Sequence, residues 1–211
     1  HYLLFNRPGS TLSKPETVQA LLRRNPNMAR DIEEIAAWRQ DTSDIVSIRP
    51  QLPFDCPLDL HAAYGSNEIK AALGVATMET AGPTGTGVIH VKDLRAYLHF
   101  VTFNKSDKDF SPTNRYHDYL LNRAQLHWES MSTTTRASVT GQNYIHFGER
   151  GYTILFFARL NKDVGGITSP FTYLGPARAL LHCEGDRPIR MIWELAHPVP
   201  AEMYEQNCVG G

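Results

Sequence analysis

The chain has 211 residues, 42% of them hydrophobic and 20% charged, with a formal net charge of −1. That balance describes an ordinary folded protein and excludes a disordered or collagen-like polymer. The length suits one large domain or a domain with a helical annex, and no apolar run approaches the ~20 residues needed to span a bilayer. Charge is uneven along the chain. Between Thr86 and Leu160 nine cations meet six acids, a local net of +3 that leaves −4 elsewhere. Five histidines, His90, His99, His117, His127 and His146, add donors to the same block. The three cysteines, Cys56, Cys183 and Cys208, are odd in number and widely spaced. They predict no disulfide framework and a reducing, cytoplasmic setting. The N-terminus shows no basic region leading into an apolar core, and it opens without Met at His1-Tyr2-Leu3, as a fragment of a longer protein or a processed or tagged terminus would.

Residues 13 to about 40 predict a helical pair. Ser13 and Glu16 have capping-box spacing, Pro15 falls in the first turn, and Val18, Leu21 and Leu22 form an apolar stripe. Asn25-Pro26 should stop the first helix, and Asn27 should cap a second in which Met28, Ile32, Ile35 and Ala36 follow the helical period. Pro50 to Pro57 holds three prolines and predicts a linker between a helical lead-in, residues 1–50, and a β-rich domain, residues 58–201. Ser66-Asn67-Glu68 opens a short helix that Gly74 should end.

Beyond Gly87 the pattern turns to strands. They are predicted at Gly87–Lys92, Ala96–Phe103, Gln142–Phe147, Tyr152–Leu160, Phe171–Leu174, Ala177–Cys183 and Arg187–Leu195. The run Tyr152 to Ala158 is nearly continuous in apolar residues and should be central to the sheet. The expected fold is therefore α+β: a helical N-terminal part followed by a mostly antiparallel β domain, closed or half-closed as a barrel.

The stretch from Phe100 to Thr135 carries the strongest functional signal. Lys105, Lys108, Arg115 and Arg123 alternate with Phe103, Phe110, Tyr116, Tyr119 and Trp128. Cations, flat rings and short hydrogen bonders suit a polyanion with stackable bases. On this reading Lys105, Lys108, Ser111, Thr113 and Arg115 position phosphates. Tyr116 and Trp128 face a base or sugar, Ser130 belongs to a second polar rim, and Gln142 reads a base edge. The competing reading makes the rings core and the cations a solvated loop.

Other chemical motifs are incomplete. Asp59 with Glu68 and Lys70 has the residue types of a magnesium-dependent nuclease, but Glu68 and Lys70 fall in the capped helix rather than on a strand. His90-Val91-Lys92 opens like a phospholipase-D-type nuclease motif, yet Tyr97 stands where its aspartate is required. Gly82 to Gly87 has a phosphate loop's glycines without its Gly-Lys-Ser/Thr ending. No paired ligands announce a zinc site and no catalytic residue set emerges, so neither a metal nor a cofactor is expected.

With those residues in view, the chain resembles an uncharacterised bacterial domain family found C-terminal to superfamily-two helicase cores, often with a phospholipase-D-type nuclease ahead of them. The similar runs include Leu58-Asp59-Leu60-His61-Ala62-Ala63-Tyr64, Phe100-Val101-Thr102-Phe103-Asn104-Lys105-Ser106 and Leu126-His127-Trp128-Glu129-Ser130. Phe171-Tyr173-Leu174-Gly175-Pro176 and Ile192-Trp193 continue the match. The resemblance implies a role in DNA processing or anti-phage defence. The expected function is a non-catalytic domain that binds duplex DNA, in its sharper form modified DNA, within a larger helicase or nuclease. The alternatives are a module docking on the parent helicase core and, third, the nuclease. No membrane partner is expected.

Overall fold

The computed structural model describes residues 15–41, 48–76, 87–104 and 118–209. The chain divides into two compact units, one of His1–Ile48 with Ser66–Thr84 and one of Arg49–Gly65 with Gly85–Gly211. These units differ from the expected segments 1–50 and 58–201 in that Ser66–Thr84 groups with the first unit.

In the first unit α1 (Pro15–Arg24) and α2 (Pro26–Asp41) are separated by a single residue, Asn25. Its N–H donates to the Leu21 and Leu22 carbonyls and its side-chain amide to Leu21 O at 2.9 Å, closing α1. Pro26 then begins α2, because proline lacks the N–H that a first helical residue leaves unused. The predicted cap at Asn27 therefore moves back to Asn25. Val18, Leu21, Leu22, Met28 and Ile32 are half-buried as their spacing predicts, whereas Ile35 and Trp38 are exposed. Helix α3 (Ser66–Ala72) ends before Gly74, whose φ of 69° suits a residue without a Cβ.

Among its described residues the second unit has ten strands. They are β1 (Ala63–Tyr64), β2 (Val88–Val91), β3 (Ala96–Asn104), β4 (Tyr119–Asn122), β5 (Gln125–Glu129), β6 (Thr153–Asn161), β7 (Asp163–Val164), β8 (Ile167–Thr168), β9 (Phe171–Glu184) and β10 (Arg190–Leu195). The main sheet runs β2-β3-β6-β9-β10-β5-β4 with β1 beside β9, and β7 pairs with β8 as a separate hairpin. Every pair is antiparallel except β3–β6. The fold is α+β with a mostly antiparallel mixed sheet, but it is not a closed barrel: β2 and β4 end the path among the described residues without pairing to each other. Nor are helices confined to the N-terminal part, since α4 (Val139–Ile145) and α5 (Ala201–Val209) belong to this unit.

The run predicted to be central is β6, flanked by β3 and β9 and buried from Ile154 to Arg159. Both its faces are covered, which is why polar residues do not alternate along it. Ile154, Phe156 and Ala158 join a core with Tyr97, Trp128, Tyr144 and Trp193. On the opposite face Phe157 stacks between Phe100 and Tyr173, at centroid distances of 5.4 and 4.9 Å.

Two predicted strands merge and one becomes a helix. Gly175 and Pro176 do not break the chain: Gly175 has φ 86°, a register shift falls opposite at Phe156/Phe157, and β9 continues from β6 onto β10. The extra residue is absorbed as a bend rather than a turn. The segment predicted as strand Gln142–Phe147 is instead α4, because Ser138 caps it, its Oγ accepting from Gly141 N–H at 3.1 Å. At Gly141 a Cβ would stand 2.0 Å from the Thr135 carbonyl oxygen and 3.2 Å from Arg136 Cα. Ala is favoured over Gly in a helix by about 1 kcal/mol, whereas forcing a methyl against backbone costs about 1–3 kcal/mol or more. Gly141→Ala should therefore lower the urea midpoint despite its better helix propensity; a raised midpoint would mean that α4 shifts freely.

Candidate functional site

Of the residues predicted to contact DNA, Lys105, Lys108, Ser111, Thr113, Arg115 and Tyr116 lie outside the described residues. The other three do not form a recess. Trp128 is only 5% exposed, so its expected outward role is corrected. In β5, Leu126 and Trp128 point inward while His127 lies on the alternate, half-buried face, as the strand period of two requires. The indole packs at 4.3 Å from the His99 ring and edge-on to Tyr144. Ser130 is also no rim residue: it is 0% exposed, and its Oγ accepts from Ile189 N–H at 2.9 Å while donating to Met131 O. Gln142 is half-buried on α4 and its amide nitrogen donates to Arg136 O at 2.9 Å, holding the turn before the helix. All three serve the fold.

The residues of the weaker motifs also have structural occupations. Asp59 Oδ1 accepts from Arg49 Nε at 3.1 Å and its N–H donates to the Tyr64 hydroxyl. Glu68 and Lys70 lie on α3 in the other unit, and burial lowers the Lys70 pKa. His90 stacks on Tyr97 at 4.3 Å, beside Tyr152. Arg95 covers the Tyr152 ring and donates to the Arg150 and Gly151 carbonyls. Arg150 in turn donates to Asn143, whose amide donates to Tyr97. Rings and cations do gather here, but the two arginines are spent on pinning the 148–151 loop. Among the described residues no group of three or more His, Cys, Asp or Glu is placed to hold a metal ion. No described helix is long and apolar enough to cross a membrane.

A cavity of about 520 Å³ opens where the end of β6, the β7–β8 hairpin, the start of β9 and α5 meet. From β6 it takes Arg159, Leu160 and Asn161; from the hairpin and its exit, Val164, Ser169 and Pro170. Thr172, Pro200 and the α5 residues Glu202, Met203 and Gln206 close the other side, with His61. Arg159 is 7% exposed and held on three sides. Its Nε donates to Thr102 Oγ at 3.0 Å, one terminal nitrogen donates to Ser169 O at 3.0 Å, and the guanidinium lies 4.2 Å from the Phe171 ring centre. Ser169 N–H donates to Lys162 O, so the base of the hairpin closes against this cation.

His61 has a φ of 65°, rare for a residue with a Cβ, and its N–H donates to Tyr173 O at 2.8 Å. Its Nε2 is buried without a hydrogen-bond partner. Burial, then the neighbouring His197 and Arg123, hold its pKa below the usual histidine value. The imidazole is therefore neutral at neutral pH. Gly175 allows this crowding, since a Cβ there would lie 3.0 Å from Leu60 Cδ1 and 3.3 Å from His197 Cδ2. Asn161 Oδ1 accepts from Asn104 Nδ2 at 3.2 Å, and Asn104 is the last described residue before the cationic stretch. None of this arrangement shows in local spacing. The sequence signals are the runs Leu58 to Tyr64, Phe100 to Ser106 and Phe171 to Pro176, which carry the resemblance without assigning His61, Asn104 or Gly175 a role.

His99 is the most perturbed histidine of the core. It is 0% exposed, neither ring nitrogen has a partner, and burial lowers its pKa to about 3. Above pH ~6.5 the ring is neutral in both folded and unfolded chains and contributes no pH dependence. Below it the unfolded chain takes up a proton that the folded one refuses, and stability falls by about 1.4 kcal/mol per pH unit until the folded pKa is reached. Between pH 6 and 4 the wild type should therefore lose more stability than His99→Phe, measured by urea unfolding at each pH. Parallel curves would show that His99 is protonated in place.

A family model described as a domain of unknown function, DUF3427, matches residues 58–207. None of the curated proteins compared is similar to the chain. The matched stretch contains every residue that lines the cavity, from His61 to Gln206, and excludes α1 and α2. The chain belongs to the DUF3427 family.

Proposed function

We propose that this chain is a non-catalytic DNA-binding domain of a larger bacterial defence-type helicase or nuclease, acting on duplex DNA in the cytoplasm. In its sharper form it reads a chemical modification of that DNA. The supporting observation is where the cationic stretch leaves and rejoins the sheet. Lys105, Lys108 and Arg115 fall between Asn104 and Asp118. Asn104 is bonded to Asn161 of the cavity wall, and Leu120 N–H donates to Asn207 Oδ1 on α5, next to the wall residue Gln206. In sequence the three cations thus fall between one residue bonded to the cavity wall and another bonded to α5, the helix that supplies part of that wall. Lysine and arginine there supply the sequence-independent attraction to phosphate on which nucleic-acid binding rests. Losing Trp128 and Ser130 to the core removes the stacking recess, but leaves this electrostatic part intact.

A second reading, docking on the parent helicase core, draws on β4, which ends the sheet with Tyr119 and Leu121 exposed. The two readings differ in salt dependence. Duplex retention by the wild type should fall steeply with added salt. In the Lys105→Ala/Lys108→Ala/Arg115→Ala variant, the slope of log affinity against log salt should shallow by about 2.7, at ~0.9 per lost phosphate contact. Equal retention of both proteins at every salt concentration would remove the DNA-binding reading and favour docking.

A further inference from the structure

We propose that the cavity walled by β6, β9 and α5 receives a single nucleobase extruded from duplex DNA, and that the β7–β8 hairpin is the wedge that enters the stack behind it. This rests on the DNA-binding reading above and adds to it a site and a ligand class.

The hairpin is the first ground. Val164 and Ile167 are direct cross-strand partners joined by Gly165-Gly166, both glycines with positive φ, as a tight two-residue turn demands. They are 65% and 75% exposed. Two β-branched apolar residues displayed at one tip lose hydrophobic free energy in water, so a fold keeps them outward when they have something to enter. Proteins that unstack DNA insert apolar side chains of this kind between base steps. The wedge is also stiffly mounted. Ser169 N–H closes its base on Lys162 O, and Ser169 O receives the buried Arg159 guanidinium.

The cavity beside it is the second ground, and Val164 belongs to both. Its volume of about 520 Å³ lies inside the ~300–1,000 Å³ range of small-molecule sites. Pro170, Pro200 and Met203 offer apolar walls for the faces of a heterocycle. Asn161, Glu202 and Gln206 offer amide and carboxylate groups for its polar edge, and Gln206 Nε2 lies 3.3 Å from Glu202 Oε1, so the two form one acceptor-rich pair. A carboxylate repels a phosphate, whereas it accepts readily from the exocyclic amino group of a base. The ligand is therefore a base rather than the backbone. Enzymes and readers that inspect single bases take them from the stack in this manner, offsetting the few kcal/mol of unpairing with pocket contacts.

Among the described residues the lining contains no Phe, Tyr or Trp. That gives the test its readout, because an extruded 2-aminopurine would leave its stacked neighbours without meeting a new aromatic quencher. A duplex with 2-aminopurine opposite thymine should brighten several-fold when the full chain binds. Val164→Ser/Ile167→Ser blunts the wedge at exposed positions, and Thr172→Leu narrows the cavity from β9 without adding a ring. Each variant keeps Lys105, Lys108 and Arg115, so each should still be retained on duplex at low salt while losing most of the fluorescence rise. Binding without brightening, or brightening unchanged in both variants, overturns the base-receiving site and leaves the DNA-binding reading standing. Failure of the wild type to retain any duplex at low salt overturns both.

Discussion

A guanidinium sealed into a β-sheet decides much of this architecture. Arg159 sits at the end of a strand whose preceding residues, Ile154 to Ala158, are all buried. Taking such a cation out of water costs several kcal/mol unless its donors are satisfied. They are satisfied from three directions at once: a threonine of β3, a carbonyl at the foot of the β7–β8 hairpin, and the face of Phe171 at the start of β9. The parallel β3–β6 pair, the hairpin and the longest strand are thereby fixed to one point. The same side chain lines the cavity, so whatever fixes the sheet also shapes the site.

The backbone is bent to the same end. His61 adopts a positive φ and Gly175 a larger one, on facing segments, and the glycine leaves room for Leu60 and His197 to approach. Strain of this sort persists where surrounding contacts over-determine it, and such places are enriched in binding sites. Here it coincides with a neutral, partly buried histidine, a cavity of useful size and the rim from which a cationic stretch departs. The proposed function and the proposed base site draw on that coincidence, not on any single residue.

Much of the scaffold could be read from the chain alone, and the reasons are physical. The unbroken apolar run at β6 announced a strand covered on both faces, and Ser66-Asn67-Glu68 with Gly74 bracketed α3 by its opening and its stop. Charged and polar neighbours in sequence make Trp128 look outward, whereas the alternation Gln125-Leu126-His127-Trp128-Glu129 puts the indole inward. Gly175-Pro176 looked like a strand break because such pairs usually turn the chain, whereas a positive φ opposite a register shift turns them into a bend. Helix α4 hid because Tyr144, Ile145 and Phe147 are good strand formers and only the Ser138 cap argued otherwise. The cavity was out of reach altogether. Its walls come from around residues 61, 160, 170 and 205, brought together by tertiary packing that no local pattern encodes.

Amide hydrogen exchange on the full chain, with and without saturating duplex DNA, probes the central claim at once, namely that the rim around Asn161, the hairpin and α5 is the face that meets nucleic acid. Slower exchange on binding is expected in residues 162–170 and along α5 (Ala201–Val209), with α4 (Val139–Ile145) unchanged. Protection confined to α4 and the turn that precedes it, with the hairpin as exchangeable as before, would contradict the account.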